Sequence, residues 1–264
     1  MNFAEKLRAA VPHGLGVCVG LDPLPDKLPA KCRASAEPIY DFNAAIIEAT
    51  VDSAAAYKPN LAFYERFGVS GWRQLEKTIA CIPKDKIVIL DAKRGDIGST
   101  AAAYASAMFE SLGGDCCTVN PYLGSDALTP FLADPEHGAF VLAVTSNPGG
   151  ADLQELKIEG RPLYLHVIEL CRRLNQNHNV GLVAGATRPE LWPMLLEAAG
   201  NLPLLIPGVG AQGGDPKVLR QLLQSYPAPC LVNSSRAIIF ASSGDDFAEA
   251  AKRAARSLRD ELVG

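Results

Sequence analysis

The stretch from Ile87 to Thr100, IVILDAKRGDIGST, decides how the rest of the chain is interpreted. It opens with four consecutive apolar residues, three of them β-branched, which is typical of a strand buried on both faces. Asp91 and Lys93 follow directly, and they point to the same side because side chains alternate across a strand. Burying an acid and a base is costly unless the two charges pair or take part in chemistry.

A structural ion pair at a strand end would also explain Asp91 and Lys93, since such pairs are common there. A helical pattern follows the charges, with Ser99 or Thr100 expected as its cap and an alanine-rich first turn. This segment therefore predicts a strand, a charged loop and a helix, and the rest of the chain must decide between a structural and a chemical role.

Composition excludes several classes of protein. The chain has 264 residues, 48% apolar content and a net charge of −4, without a basic block that would favour nucleic acid. Its apolar runs are far shorter than the roughly 20 residues of a membrane helix, and its start does not have the pattern of a signal peptide. Its seven cysteines include no CxxC pair. We therefore expect a soluble cytoplasmic protein without disulfides or a zinc site.

Strand-like runs alternate with helical patterns along the whole chain. The predicted strands are Leu15–Leu21, Ala54–Lys58, Lys86–Lys93, Cys116–Asn120, Ala139–Ser146, Val180–Ala184, Pro203–Ile206 and Pro229–Val232. The helices predicted after them are Glu37–Thr50, Gly71–Ile82, Ser99–Leu112, Asp126–Leu132, Arg161–Asn175, Pro189–Ala199, Pro216–Gln224 and Asp245–Leu262. This order predicts an α/β fold, a single (β/α)8 TIM barrel over residues 1–264. An open, doubly wound sheet is the alternative.

Polar residues cluster at the carboxyl ends of the predicted strands. They are Asp22, Lys58, Asp91, Lys93, Asn120, Ser146, Gln212 and Arg236. In a barrel these ends meet at one mouth, which is where active sites lie. The sequence therefore predicts one site built from most of the strands.

The segment after the seventh strand suits a phosphate group. Residues 207–215 contain a GxGxxG pattern, and glycines leave backbone N–H groups open to a phosphate. A dinucleotide site would need an acid at the end of the next strand, but that place holds Ser235 and Arg236. The guanidinium group of an arginine can donate hydrogen bonds to two oxygen atoms of one phosphate at the same time. A plain glycine turn beside a solvated arginine is the alternative.

The charged residues favour proton transfer by lysine. Barrel curvature should place Lys58 beside Asp91, so that Lys93 and Asp96 complete an array of alternating charge. The strand ends hold no histidine and no cluster with the spacing of metal ligands, so neither a metal nor another cofactor is expected. Ser146 has no neighbouring histidine base, which makes a nucleophilic serine a poor interpretation.

These motifs together resemble those of the orotidine 5′-monophosphate decarboxylase family. Residues 91–100 match the DxKxxDIxxT signature, and the similarity extends through GLDP at 20–23, KPN at 58–60, TSNPG at 145–149 and PGVGAQGG at 207–214. The NPY at 120–122 and the NPG at 147–149 are similar to those of the longer bacterial subgroup. The resemblance spans the whole barrel.

The resemblance implies decarboxylation of orotidine 5′-monophosphate to uridine 5′-monophosphate in pyrimidine biosynthesis, without a cofactor. Lys58, Asp91, Lys93 and Asp96 would form the catalytic tetrad, with Lys93 protonating C6 of the pyrimidine. Asp96 and Thr100 would reach into the site of a second subunit, which implies a homodimer. The implied substrate contacts are Asp22, Lys58, Ile97, Thr100, Asn120, Ser146, Pro207, Gln212, Ser235 and Arg236. Ser235 departs from the family, which often has glycine before the arginine.

Two other functions stay open. A related barrel of the same superfamily could decarboxylate a sugar phosphate with the help of a metal. A barrel that only binds nucleotides, without catalysis, would keep the phosphate site, but binding alone explains an intact tetrad poorly.

Overall fold

Eight parallel strands close into a barrel in the computed structural model, which describes residues 1–210 and 213–264. The strands are β1 Leu15–Leu21, β2 Ala54–Pro59, β3 Ile87–Arg94, β4 Cys116–Val119, β5 Gly138–Val144, β6 Val180–Ala184, β7 Leu204–Ile206 and β8 Cys230–Ser234. Each strand pairs with its neighbour in the sequence, and β8 returns to pair with β1. The predicted (β/α)8 barrel is confirmed, and the open-sheet alternative is wrong.

Helices surround the barrel. The α-helices are α1 Phe3–Ala10, α2 Ala30–Arg33, α3 Pro38–Thr50, α4 Ala62–Glu65, α5 Gly68–Ala80, α6 Gly98–Ser106, α7 Ser125–Leu128, α8 Ala151–Gln154, α9 Leu163–Leu174, α10 Trp192–Ala199, α11 Pro216–Leu223, α12 Arg236–Ile239 and α13 Phe247–Val263. Within the described ranges, every helix is too short or too polar to cross a bilayer.

Apolar side chains fill both the barrel and the layer outside it. The interior cluster includes Cys18, Ile89 and Phe140, and α1 covers the lower end of the barrel with Phe3 and Leu7. A side chain at Gly138 would come within 2.4 Å of the Phe3 ring, so the glycine makes room for this cover. The larger cluster lies between strands and helices. The first and last helices, α1 and α13, both pack against strands of the barrel.

Several element boundaries differ from the sequence prediction. Helix α6 begins at Gly98 with Ile97 before it, so neither Ser99 nor Thr100 is its cap. Strand β8 continues to Ser234, and β5 ends at Val144, which leaves Ser146 in the loop. A short antiparallel ribbon joins residues 157–158 to 161–162 before α9, and the sequence analysis missed it. These differences shift element ends and leave the order of the barrel unchanged.

Candidate active site

The barrel interior changes from apolar to polar near the carboxyl ends of the strands. Ala56, Ile89, Cys116 and Leu231 belong to the apolar interior cluster. Two positions further along the same strands lie Lys58, Asp91, Thr118 and Asn233, all of them buried. Because side chains two apart share a face, these four polar groups also point into the barrel. The strands thus place a polar layer directly on an apolar floor.

The centre of this layer is Asp91, which lies between two lysines. Its Oδ2 atom accepts a hydrogen bond from Lys58 Nζ at 2.7 Å, and its Oδ1 atom accepts one from Lys93 Nζ at 2.5 Å. The side chain of Lys58 is 5% exposed and that of Asp91 is 9% exposed, whereas Lys93 is 49% exposed. Asp91 therefore holds one buried and one accessible ammonium group at the mouth of the barrel.

The buried pair keeps its charges. Burial alone would raise the pKa of Asp91, but the adjacent ammonium groups of Lys58 and Lys93 outweigh it and lower that pKa well below its ordinary value. Burial would lower the pKa of Lys58, yet the carboxylates of Asp91 and Asp22 raise it above its ordinary value. The site therefore presents a fixed pattern of charge at neutral pH.

Strand β3 bulges where it carries these charges. Leu90 pairs with Cys117 and Arg94 pairs with Val119, so two more residues lie on β3 than on β4 between the paired positions. Lys93 lies in this bulge and has a φ angle of +47°, an unusual value for a residue with a side chain. Thr118 lies opposite the bulge, and its hydroxyl contacts both Asp91 and the Lys93 backbone. The bulge therefore turns the Lys93 side chain toward Asp91, so that its ammonium group contacts the Asp91 carboxylate.

A cavity of about 180 Å³ opens beside the array. Its lining includes Lys58, Asp91, Asn60 and Asp22, and residues 207–209 and 233–237 form its other side. The Oδ1 atom of Asp22 is buried and makes no hydrogen bond within the described part of the chain. Asp22 lines the cavity, so its unpaired carboxylate oxygen is a candidate acceptor for a ligand hydroxyl.

The predicted phosphate residues lie at the far side of this cavity. Arg236 is exposed, and it lines the cavity together with Ser235 and Pro207. Gly208, Gly210 and Gly213 have φ angles of 96°, 78° and 96°, which only glycine adopts readily. Gln212 was also predicted here, but it lies outside the described residues.

Ser235 has a specific structural accommodation. A Cβ atom at position 20 would lie 1.8 Å from the Ser235 hydroxyl oxygen. Gly20 on β1 thus leaves the space that the Ser235 side chain occupies, since β1 and β8 are neighbours. The departure from glycine at position 235 is accommodated by the glycine at position 20.

Asn120 and Ser146 lie in the loops after β4 and β5. Asn120 accepts a hydrogen bond from the Tyr122 backbone and is exposed, which is typical of a residue that caps a turn. The carbonyl of Ser146 accepts a hydrogen bond from the Thr187 hydroxyl at 3.0 Å, and its side chain is half-buried. Neither residue is part of the lining of the small cavity.

The structure does not bring Asp96 into the array of its own chain. Asp96 accepts a hydrogen bond from the Ile97 backbone and forms no salt bridge with any described residue. Ile97 is 56% exposed, and Thr100 is exposed on the first turn of α6. Asp91 therefore contacts both Lys58 and Lys93, whereas the fourth predicted tetrad residue, Asp96, is half-buried and lies outside this array.

Sequence reasoning missed two polar residues of the site, Thr118 and Asn233. Each is a polar residue in a buried strand, two positions before a polar residue at the strand end: Thr118 precedes Asn120, and Asn233 precedes Ser235. Side chains two positions apart point to the same face of a strand, and this spacing is the signal that could have identified both residues.

Among the described residues, no group of three His, Cys, Asp or Glu side chains is arranged to hold a metal ion.

A closed eight-stranded barrel with buried acid and base groups at its carboxyl-terminal mouth defines an enzyme of the (β/α)8 barrel class. Residues 16–254 match the model of the orotidine 5′-phosphate decarboxylase / HUMPS family. The chain belongs to this family.

Relatives and solved structures agree over nearly the full length. The chain is 50% identical over 266 residues to the orotidine 5′-phosphate decarboxylase of Roseiflexus castenholzii, covering 99% of this chain and 97% of the relative. It is 49% identical to that of Herpetosiphon aurantiacus, over 97% of this chain and 96% of the relative. The structure of Leishmania donovani OMP decarboxylase superposes with a TM-score of 0.85 at 37% identity and full coverage of both chains. The chain is thus a homologue of carboxy-lyases.

Proposed function

We propose that this protein decarboxylates orotidine 5′-monophosphate to uridine 5′-monophosphate and carbon dioxide in pyrimidine biosynthesis. One observation carries the proposal. Asp91 is held between Lys58 and Lys93 beside a cavity whose far side is formed by Ser235 and Arg236. In the proposed complex, Lys93 is the proton donor at one end of the nucleotide and Arg236 is the cation beside its phosphate. Identity of about half of all residues to decarboxylases of this name supports it.

Lys93 is the proposed proton donor. When the bond between C6 and the carboxylate breaks, the electron pair stays in an in-plane orbital at C6 that is not conjugated with the ring carbonyls. A fixed cation is the stabilisation that such a site can offer without an electron sink. The Lys93 ammonium group supplies both the charge and the proton, and it becomes a neutral amine as the C6–H bond forms. Its 49% exposure leaves it accessible to substrate.

Asp91 and Lys58 hold Lys93 in place for this step. Asp91 lies against the leaving carboxylate in the proposed complex, and it remains ionised because its pKa is lowered. Lys58 balances the charge of Asp91 from below, at 2.7 Å. The repulsion between Asp91 and the substrate carboxylate would favour departure of carbon dioxide.

The remaining residues bind the nucleotide. Asp22 accepts a hydrogen bond from a ribose hydroxyl through its unpaired oxygen, and Lys58 donates one. Ser146 contacts the pyrimidine amide, and Asn120 lies on the same side of the mouth. The phosphate binds to Gln212, Arg236 and the backbone of Pro207 and Ser235.

Binding of the phosphate must contribute to catalysis. Enzymes lower barriers by about 8–23 kcal/mol, and a single lysine cannot supply the upper end of this range. Binding energy from the phosphate would be used to close the loop of residues 208–214, of which 211 and 212 lie outside the described residues, over the substrate and so exclude water. Three backbone hydrogen bonds between described glycines shape the base of this loop: Gly210 N–H donates to Gly214, Gly213 N–H to Gly210 and Gly214 N–H to Gly208.

We also propose a homodimer in which Asp96 and Thr100 complete the site of the partner subunit. Asp96 lies three residues from Lys93 but has no ion-pair partner among the described residues of its own chain. Ile97, Tyr122 and Leu123, in the loops after β3 and β4, are 56%, 79% and 48% exposed, and a contiguous exposed patch of large apolar side chains would mark an interaction surface. Together they support a subunit contact at the mouth of the barrel.

We propose that the reaction proceeds without a cofactor and in the cytoplasm. A metal-dependent sugar-phosphate decarboxylase is the competing function within the same family. The test is an absorbance assay of the purified protein with orotidine 5′-monophosphate, with and without EDTA. The proposal predicts equal turnover in both. Loss of activity with EDTA would contradict the cofactor-independent reaction, and absence of decarboxylation in either would contradict the proposed function.

A further inference from the structure

We propose that Thr118 is a positioning residue for the decarboxylation, because its hydroxyl fixes Lys93 relative to Asp91. The inference rests on the proposed function of Lys93 as the proton donor. It assigns a role to a residue that is not itself charged and lies on a different strand from the lysine.

Thr118 makes two hydrogen bonds that join the two catalytic groups. Its Oγ1 atom donates to Asp91 Oδ1 at 2.9 Å, and it accepts from the backbone N–H of Lys93 at 2.9 Å. The same Oδ1 atom accepts the bond from Lys93 Nζ. The three residues therefore form a closed ring of hydrogen bonds that includes both the backbone and the side chain of Lys93.

The bulge in β3 explains why a side chain is needed there. Between the pairs Leu90–Cys117 and Arg94–Val119 the regular ladder is interrupted, so the Lys93 N–H has no partner on the β4 backbone. The Thr118 hydroxyl takes the place of that backbone acceptor. Thr118 is 2% exposed, so its hydroxyl has little access to water, and Lys93 N–H and Asp91 are the partners that the structure gives it.

The bond also supports an unfavourable backbone. Lys93 has a φ angle of +47°, and such a conformation persists only where the surroundings enforce it. Without the hydroxyl, Lys93 can relax toward ordinary strand geometry, and its ammonium group then moves away from the position beside Asp91. We expect proton transfer to suffer more than substrate binding, because the nucleotide contacts lie elsewhere in the cavity.

The experiment compares Thr118→Val with Thr118→Ser. Valine has the shape of threonine without the hydroxyl, whereas serine keeps the hydroxyl and loses only a methyl group. Thr78→Val is the matched control, because Thr78 is also fully buried and bonds its hydroxyl to the Gln74 carbonyl, within α5. Each variant is assayed for kcat and KM with orotidine 5′-monophosphate and for the Kd of uridine 5′-monophosphate.

The proposal predicts that Thr118→Val lowers kcat about 10- to 100-fold, with KM and Kd changed by less than about threefold. Thr118→Ser should stay within about fivefold of the wild type, and Thr78→Val should keep its kcat. If valine retains wild-type kcat, or if serine and valine lose activity equally, the proposal is wrong. A wild type that fails to decarboxylate would instead contradict the proposed function.

If the Thr118→Val protein does not fold, the comparison of Thr118→Cys with Thr118→Ser provides the test instead. Cysteine has nearly the shape of serine, but its thiol is a much weaker hydrogen-bonding group. Thr118→Cys should therefore have a kcat at least about fivefold below that of Thr118→Ser. Equal kcat for these two variants would overturn the positioning role.

Discussion

Lys58 Nζ lies 2.7 Å from Asp91 Oδ2, and both side chains are more than nine-tenths buried. Two buried charges are tolerated here because each lowers the cost of ionising the other, and removing one leaves the other without a counter-charge. The pair is therefore the buried part of the proposed catalytic array. It also makes the free energy of unfolding depend on pH.

The first prediction concerns stability in acid. The pKa of Asp91 lies below its ordinary value of 3.8, so the unfolded chain binds a proton at this position before the folded chain does. The stabilisation is present above about pH 4 and is lost as the pH falls below it, with a slope of at most about 1.4 kcal/mol per pH unit. Asp91→Asn lacks this slope, although it is less stable at neutral pH because Lys58 loses its partner.

Urea unfolding at several values between about pH 5 and 2 measures the difference. The free energies of unfolding of wild type and Asp91→Asn should converge as the pH falls. Parallel curves would mean that Asp91 has an ordinary pKa in the folded protein.

The second prediction concerns the phosphate. Arg236→Ala should raise KM for orotidine 5′-monophosphate about 10- to 100-fold, because a charge-assisted hydrogen bond is lost. Arg236→Lys should recover part of the loss through its charge. Orotidine without the phosphate is the control substrate, and its kcat/KM should not respond to either variant. An equal effect on both substrates would show that Arg236 does not bind the phosphate.

The third prediction concerns Gly20 and Ser235. A Cβ atom at position 20 would lie 1.8 Å from the hydroxyl oxygen and 2.7 Å from the Cβ atom of Ser235. Gly20→Ala should therefore destabilise the fold by about 1–3 kcal/mol and raise KM by displacing Ser235. Ser235→Gly removes both overlapping atoms, so the double variant should recover most of the stability.

A double-mutant cycle by thermal and kinetic measurement tests this coupling. Additive effects of the two substitutions would contradict the contact. A KM that does not change in Gly20→Ala would separate Ser235 from phosphate binding.

The fourth prediction tests the proposed sharing of the site between two subunits. Lys93→Ala and Asp96→Ala should each be nearly inactive as pure homodimers. In a mixed dimer, one site receives Lys93 from one subunit and Asp96 from the other, both unaltered. Mixing the two inactive proteins under conditions of subunit exchange should restore activity to about a quarter of the wild type. If activity does not return although exchange is shown to occur, Asp96 acts within its own chain or not at all.

The order of strands and helices in the barrel could be predicted from the sequence, because each element has a strong local pattern of apolar residues. The sequence was also sufficient for the proximity of Lys58, Asp91 and Lys93, since barrel strands bring adjacent strand ends together. These predictions needed only periodicity and the geometry of parallel sheets.

The contacts of Thr118 with Asp91 and Lys93 could not be predicted, because the bulge in β3 arises from its register with β4 and not from a local signal. The end of β8 was placed too early because Asn233 and Ser234 are polar, yet both are buried at the barrel mouth. These polar residues line the candidate site, and local strand propensity does not account for polar side chains in such a place. The space that Gly20 leaves for Ser235 also depends on contacts between strands.

The most direct test of the account is the turnover of Lys93→Ala beside the wild type, in metal-free buffer with orotidine 5′-monophosphate. The account predicts that kcat falls about 1,000-fold or more, since both the proton and the cation at C6 are lost. The melting temperature should stay close to that of the wild type, because the Lys93 side chain is half-exposed and Asp91 keeps Lys58. Near-normal turnover by a folded Lys93→Ala protein would contradict the central claim.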